Sequence, residues 1–366
     1  MPAERSEWRR VGATSAASPT QMPRKPPFGE PRSSEEPPAL ERRRAHERAR
    51  GRHAVHPLQI PWLGWKDILW RTGREMQSDR LFSIAAGVAF YVLLAIFPAI
   101  TALVSGYGLF LNASTITDNF SLLDDILPDN VVELLRDQAS RIGAHSGGAL
   151  SIGVVAGIMV ALWSTMSGVK AVIDALNVIY EQQESRSFIR LNLVALAFTL
   201  TGFAALLLVV GTIVVLPLIL SSVGLGAVTA TLAWIARWPA LFVLLLIALA
   251  ALYRYAPDRK RARWQWVSIG SVFTAVTWIV ASYLFSWFLA HFANYNATYG
   301  SLGAAVGLMM WLWISATVVL IGAELNAEIE HQTAEDSTVG EDKPLGARGA
   351  VMADTVGGSG REPICR

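Results

Sequence analysis

Asn294-Tyr295-Asn296-Ala297-Thr298-Tyr299-Gly300-Ser301-Leu302-Gly303 carries no charge and runs into an apolar stretch that closes on Gly322-Ala323-Glu324-Leu325-Asn326. Positions 301–324 are long enough to cross a bilayer, which takes about 20 apolar residues as helix. Gly300, Gly303, Ala304 and Gly307 open the stretch with a face of small residues, which lets a neighbouring helix backbone approach closely. Its middle is Met309-Met310-Trp311-Leu312-Trp313. Such a segment decides the fold class: an all-α integral membrane protein.

Five more runs of this kind lie upstream, at about 81–111, 149–169, 191–220, 232–253 and 266–290, so six transmembrane helices are expected. The composition agrees. Of 366 residues 52% are hydrophobic and 16% charged, against about 25% charged in soluble domains, and the mean hydropathy is +0.38. The 13 Trp residues suit belts at the two membrane surfaces. Pro98 inside the first run removes one backbone hydrogen bond and predicts a tilted or kinked helix. Gly153 and Gly157 have the spacing of a close-packing pair in the second.

Charge placement sets the orientation. Lys170, Arg186 and Arg190 separate the second and third runs, and Arg254, Arg259, Lys260, Arg261 and Arg263 separate the fourth and fifth. Positions 221–231 carry no charge, and 291–300 carry only His291. Basic loops face the cytoplasm. Both termini are therefore expected inside (N-in/C-in), with the protein in the cell (inner) membrane.

Outside the spans four segments stand apart. Residues 1–61 are rich in Pro, Ser, Glu and Arg without an apolar period and read as a disordered cytoplasmic tail. Its cluster Arg42-Arg43-Arg44 with Arg48, Arg50 and Arg52 suits anionic headgroups. No aromatic or RNA-binding signature accompanies it, so nucleic acid is not expected as a partner. Residues 62–77 read as an amphipathic interfacial helix, with Trp62, Trp65, Ile68, Leu69 and Met76 on one side and Lys66, Arg71 and Arg74 polar. The acidic stretch 112–148, with two short amphipathic faces around Pro128, predicts a helical extracytoplasmic cap between spans one and two. The membrane domain then covers 62–330, and 331–366 reads as a second disordered cytoplasmic tail.

Chemistry-bearing residues are few. Asp79 precedes the first span. Asn177, Tyr180, Glu184 and Arg186 lie where the second span continues out of the membrane, and two readings of them stay open: a helical hairpin pinned by ion pairs, or a gate in which Glu184–Arg186 contacts hold two helices together. Arg254 and Glu324 sit toward span ends, where a long side chain reaches water. No carboxylate or basic group is expected at mid-depth, which argues against a proton relay. Asn294, Tyr295, Asn296, Tyr299 and Ser301 suit contact with a polar headgroup or a sugar, or equally a tight turn. The six histidines are scattered, the one cysteine is Cys365, and no Walker A or G-x-S-x-G sequence occurs. No metal, cofactor or enzymatic activity is expected.

Several blocks together resemble a known family: Ala85-Ala86-Gly87-Val88-Ala89-Phe90-Tyr91 leading to Phe97-Pro98, Asn177-Val178-Ile179-Tyr180 with Glu184 and Arg186, Tyr253-Arg254-Tyr255-Ala256-Pro257, and the 296–303 loop with its Gly322–Asn326 ending. Over about 65–330 the chain resembles the bacterial YihY/BrkB inner-membrane proteins. The resemblance implies a six-helix membrane fold and roles in envelope integrity or export. That family has carried the label ribonuclease BN. Metal-dependent RNA cleavage needs a His/Asp cluster that these residues lack. The expected function is a transporter, exporter or lipid-translocating protein of the envelope, with a non-transporting scaffold for envelope assembly as the alternative. The expected partners are the bilayer, its anionic headgroups and a lipid-linked or amphipathic cargo. Oligomeric state is not legible.

Overall fold

A computed structural model describes residues 47–110, 152–212, 227–292 and 302–358. They form helices and loops with one isolated β-bridge, Ala262 to Thr338. After a 3-10 turn at Pro57–Gln59 come α1 (Trp62–Ser78), α2 (Leu81–Phe110), α3 (Ile152–Ile179), α4 (Phe188–Val210), α5 (Ala227–Tyr255), α6 (Trp264–Phe292), α7 (Leu302–Glu330) and the short α8 (Val351–Asp354). Among the described residues, four helical segments are long and apolar enough to cross a membrane: Phe188–Val209, Ile235–Tyr255, Trp264–His291 and Ala305–Glu330. A fifth arises if α1 and the first part of α2 count as one broken span, bent by 64°. The bend falls where Asp79 caps α1, its N–H donating to the Glu75 carbonyl at 2.8 Å, and where Arg80 takes φ 53°.

Large apolar side chains point outward along these helices. Leu193, Leu200 and Leu207 on α4, Ile235, Val243 and Ile247 on α5, and Val276, Val280 and Leu284 on α6 are all exposed. A water-soluble fold buries such residues, whereas a bilayer solvates them. The interior is organised around α7. It packs on α6, α2, α1 and α3, while α5 rests on α6 and α4 on α3. The helices thus follow each other in the order α5, α6, α7, α2/α3, α4, and the two end members, α4 and α5, scarcely touch.

The tightest crossing is between α6 and α7. The Asn326 side chain accepts the Gly270 N–H at 2.8 Å and donates to the Val267 carbonyl at 3.3 Å. The Tyr253 hydroxyl donates to the Val319 carbonyl at 2.8 Å and shares a hydrogen bond with Thr274 Oγ1 at 2.8 Å, which ties α5 into the same junction. Gly322 sits against Thr274 and the Gly270 carbonyl, with no room for a side chain. The small face expected to do this work at Gly307 meets no heavy atom of the described residues within 4 Å of a Cβ position.

Three expectations are corrected at the charged end of the bundle. Residues 331–358, read as a disordered tail, are folded: Gln332, Thr333, Ser337, Thr338, Arg348 and Met352 are buried. Side chains fasten the segment to backbone. Arg348 donates to the carbonyls of Ala334, Glu335, Lys343 and Ala353, and Asp336 accepts from the N–H groups of Thr338 and Lys343. Gly346 and Gly349 take φ of 86° and 73°, a conformation that costs a glycine little. Residues 47–61, also read as part of a tail, pack beneath this segment, with the Ala334 N–H donating to the Arg52 carbonyl at 2.8 Å. Arg71, expected on the polar side of an interfacial helix, is buried and ion-paired with Glu328 of α7.

Candidate functional site

Three of the expected residues meet at the charged end. Asn177, on the last turns of α3, donates to Glu184 Oε2 at 3.0 Å and accepts the Asp258 N–H at 2.8 Å. Arg186 grips Glu184 bidentately, at 2.7 and 2.6 Å, and donates to the Ala256 carbonyl at 3.1 Å. Asp258 accepts from the Ser185 N–H at 2.7 Å and hydroxyl at 2.6 Å. Of the two readings left open by the sequence, a hairpin pinned by ion pairs and a gate in which Glu184–Arg186 contacts hold two helices together, the second needs the pair to bridge helices. Both residues lie in the α3–α4 loop, and the contact that crosses the bundle is from this loop to the α5–α6 loop.

Hydrogen bonds from Arg186 hold the Glu184 carboxyl below the usual range. Burial pushes Asp258 up, but the Ser185 bonds with Arg186 and Arg190 outweigh it and lower it overall. A carboxyl lowered on folding stabilises fully above its unfolded pKa of about 4, and that contribution fades as pH falls through the folded value. The clasp is expected to loosen below about pH 4. Glu184→Gln should cost about 1–3 kcal/mol at neutral pH and flatten the fall of melting temperature on acidification. An acid limb as steep as that of the unaltered protein would remove the clasp from stability.

Behind the clasp, the Arg259 side chain is buried between Tyr180 and Glu330. Its guanidinium lies 4.0 Å over the Tyr180 ring and 2.5 Å from the Glu330 carboxylate. Glu330 also accepts from Ser337 Oγ at 2.6 Å, which brings the terminal segment into the lock. Burial pushes the Tyr180 phenol above its ordinary range, so it stays neutral.

Between α4 and α5 lies a cleft of about 400 Å³. Arg190, Val194, Ala197, Phe198 and Thr201 form its α4 wall, a single helix face by their spacing. Ala251, Arg254, Tyr255 and the loop residues Asp258, Arg259 and Arg261 form the other wall. Arg190, Ala197, Thr201 and Arg261 are exposed, so the cleft opens outward. Arginines gather at its charged end and apolar side chains farther along the helices. Its volume falls within the ordinary range of ligand sites, about 300–1,000 Å³.

The remaining expected residues lie elsewhere. Asp79 is at the α1–α2 bend, and Pro98, Gly153 and Gly157 lie within α2 and α3. Glu324 was expected at a span end within reach of water. It is fully buried, and neither carboxylate oxygen has a hydrogen-bond partner among the described residues. Asn294, Tyr295, Asn296, Tyr299, Gly300 and Ser301 lie outside the described residues, as does the expected cap at 112–148. Gly303 is buried in the first turn of α7. Arg190, Ser185, Asp258, Arg259 and Arg261 were not singled out as site residues from sequence. The signal for them is the density of arginine in two loops, which sets membrane orientation by the same residues. Among the described residues, no three His, Cys, Asp or Glu side chains group to hold a metal.

A family model described as virulence factor BrkB matches residues 72–345. The Bacillus subtilis protein YfkH, named ribonuclease-like, is 33% identical over 254 residues, covering 67% of this chain and 88% of its own length. A UPF0761 membrane protein of Tolumonas auensis is 26% identical over 264 residues, 70% of this chain and 83% of its own. A UPF0761 membrane protein of Ralstonia nicotianae is 26% identical over 261 residues, 70% of this chain but 57% of its own, so this chain spans little more than half of that relative. No solved structure matches.

Proposed function

The chain belongs to the virulence factor BrkB family of membrane proteins, and from that premise we propose that it moves an amphipathic, lipid-like cargo within or across the cell membrane. The observation that carries this reading is the cleft between the two end members of the helix series. Transport of an amphiphile needs a polar pocket that is continuous with an apolar one and reachable from the bilayer. Arg190, Arg254 and Arg261 line the one part, and Val194, Phe198 and Ala251 the other. Six spans with both termini cytoplasmic complete the proposal. In its support, α2 and α3 are 30 and 28 residues long, and the arginine-bearing loops meet the segments 47–61 and 331–358 at one end of the helices. By the excess of basic residues that end faces the cytoplasm.

A fluorescent protein fused after Arg366 is expected to fluoresce in the cytoplasm, and the same fusion supplies material for reconstitution. In vesicles containing a fluorophore-labelled anionic lipid, the protein is expected to raise the rate of exchange between leaflets well above that of protein-free vesicles. No acceleration for any anionic, zwitterionic or lipid-linked probe would sink the transport reading. It would favour the alternative of a non-transporting envelope scaffold, to which the folded, polar 331–358 segment offers a docking face.

A further inference from the structure

We infer that the cleft between α4 and α5 is a binding site for a phosphate group, held by Arg190, Arg254 and Arg261. The inference rests on the amphipathic-cargo reading for the source of that phosphate, and on the cleft itself for the chemistry. Five arginines line the space, and two are already neutralised: Arg186 by Glu184 with Asp258, and Arg259 by Glu330. Arg190, Arg254 and Arg261 have no carboxylate within 4 Å among the described residues. The one acid in the lining, Asp258, is occupied by Ser185 and Arg186.

Arg254 is the informative member. It is 9% exposed, and its Nε and Nη1 have no hydrogen-bond partner among the described residues. Its guanidinium is held by stacking instead, 4.4 Å over the Trp264 ring and 5.4 Å from that of Tyr255. Arg261 lies 4.9 Å from the same Tyr255 ring. Two cations are thus oriented by one aromatic ring, next to a third on α4, and among the described residues no carboxylate forms an ion pair with any of the three. Buried donors left unmade are costly, and like charges brought together repel. An anion seated among them removes both penalties.

The number and geometry of donors select the anion. Guanidinium forks match the oxygens of phosphate, and a terminal phosphate offers three oxygens to three arginines. A carboxylate offers two and leaves one arginine unmatched. Val194, Phe198 and Ala251 continue the cleft with apolar surface, which a free phosphate leaves empty and an acyl or polyprenyl chain covers. The ligand class is accordingly a lipid with a phosphate headgroup.

The test uses the full-length protein in detergent, with dihexanoyl phosphatidate, dihexanoylglycerol and inorganic phosphate as probes in a thermal-shift titration. Phosphatidate is expected to stabilise at the lowest concentration, phosphate only at higher ones, and the phosphate-free diglyceride not at all. Arg254→Gln is expected to weaken phosphatidate binding by about tenfold or more. Because Arg254 is buried, the exposed pair Arg190→Gln/Arg261→Gln provides the same readout in a protein that folds. Unchanged phosphatidate affinity in that pair, or equal stabilisation by diglyceride, overturns the site. Equal affinity for inorganic phosphate upholds the phosphate site and assigns it a soluble ligand. Absence of phosphatidate binding by the unaltered protein, with its leaflet exchange intact, refutes this site and leaves transport standing, whereas binding without exchange refutes transport and leaves the site.

Discussion

Replacing Gly322 with valine is expected to abolish the thermal transition of the purified protein. A Cβ at this position would lie 1.7 Å from Thr274 Oγ1, 2.9 Å from the Tyr253 hydroxyl and 3.1 Å from the Gly270 carbonyl. None of the three can retreat cheaply. The two hydroxyls are bonded to each other, Tyr253 is also bonded to α7, and the carbonyl is backbone. Overpacking in a core commonly costs about 1–3 kcal/mol, and more where backbone must move. Three helices meet here, so the expected cost for Gly322→Ala is at least about 3 kcal/mol, with valine worse. Gly73→Ala on α1 is the control, since nothing lies within 4 Å of its Cβ position, and it should gain about 0.5–1 kcal/mol from helix propensity. Thr274→Ala on the Gly322→Ala background should restore part of the loss, as neighbours couple. Melting followed by tryptophan fluorescence reads all four proteins. A Gly322→Ala protein that melts like the parent would show that α6 and α7 are not this close.

The second large effect is expected at the buried ion pair between α1 and α7. Arg71 Nε donates to the Glu328 carboxylate, Nη2 to the Glu328 carbonyl at 3.2 Å and Gln332 Oε1 at 2.8 Å, and Nη1 to the Gly358 carbonyl at 3.2 Å. Both side chains are at most 4% exposed. Arg71→Leu removes the guanidinium and leaves the buried carboxylate only His331, whose Nδ1 is 3.7 Å away, a change that costs about 3–5 kcal/mol. Arg71→Lys is not expected to rescue, because a single ammonium cannot serve acceptors on α7 and on the terminal segment together. Arg71→Leu combined with Glu328→Leu should recover much of the stability, since an apolar pair of similar volume needs no desolvation. Limited proteolysis gives a second readout: the single variant should be cut within 331–358, which Arg71 and Arg52 tether. Resistance equal to the parent's would mean that the terminal segment is held without this pair.

Much of the fold was legible because bilayer-scale apolar runs are read by length alone. The runs at 232–253 and 266–290 correspond to α5, Ala227–Tyr255, and α6, Trp264–Phe292, with ends displaced by a few residues. Asn177, Glu184 and Arg186 were legible as a group because they follow one another on a single exit from a helix. Arg259, Asp258 and Arg261 were not, since a run of basic residues between spans has the same signature whether it faces water or lines a cleft. The folded 331–358 segment was missed for a different reason. It is held by side-chain-to-backbone bonds from Arg348, Asp336 and Asp354, and such bonds leave no apolar period to find.

What the linear sequence determined by itself is the solvent: uncharged runs of helical length belong in lipid, because an apolar side chain costs nothing there and an unpaired backbone group costs several kcal/mol, roughly. What only the tertiary structure decided is which polar groups are spent on one another. Arg71 and Arg259 look no different from Arg254 and Arg261 along the chain, yet carboxylates meet the first two, while among the described residues none pairs with the others. That division follows from helix order, which sets α7 at the centre and leaves α4 and α5 apart. Charge neutralisation is a matter of distances of a few ångströms between residues far apart in sequence, and those distances exist only once the helices have packed.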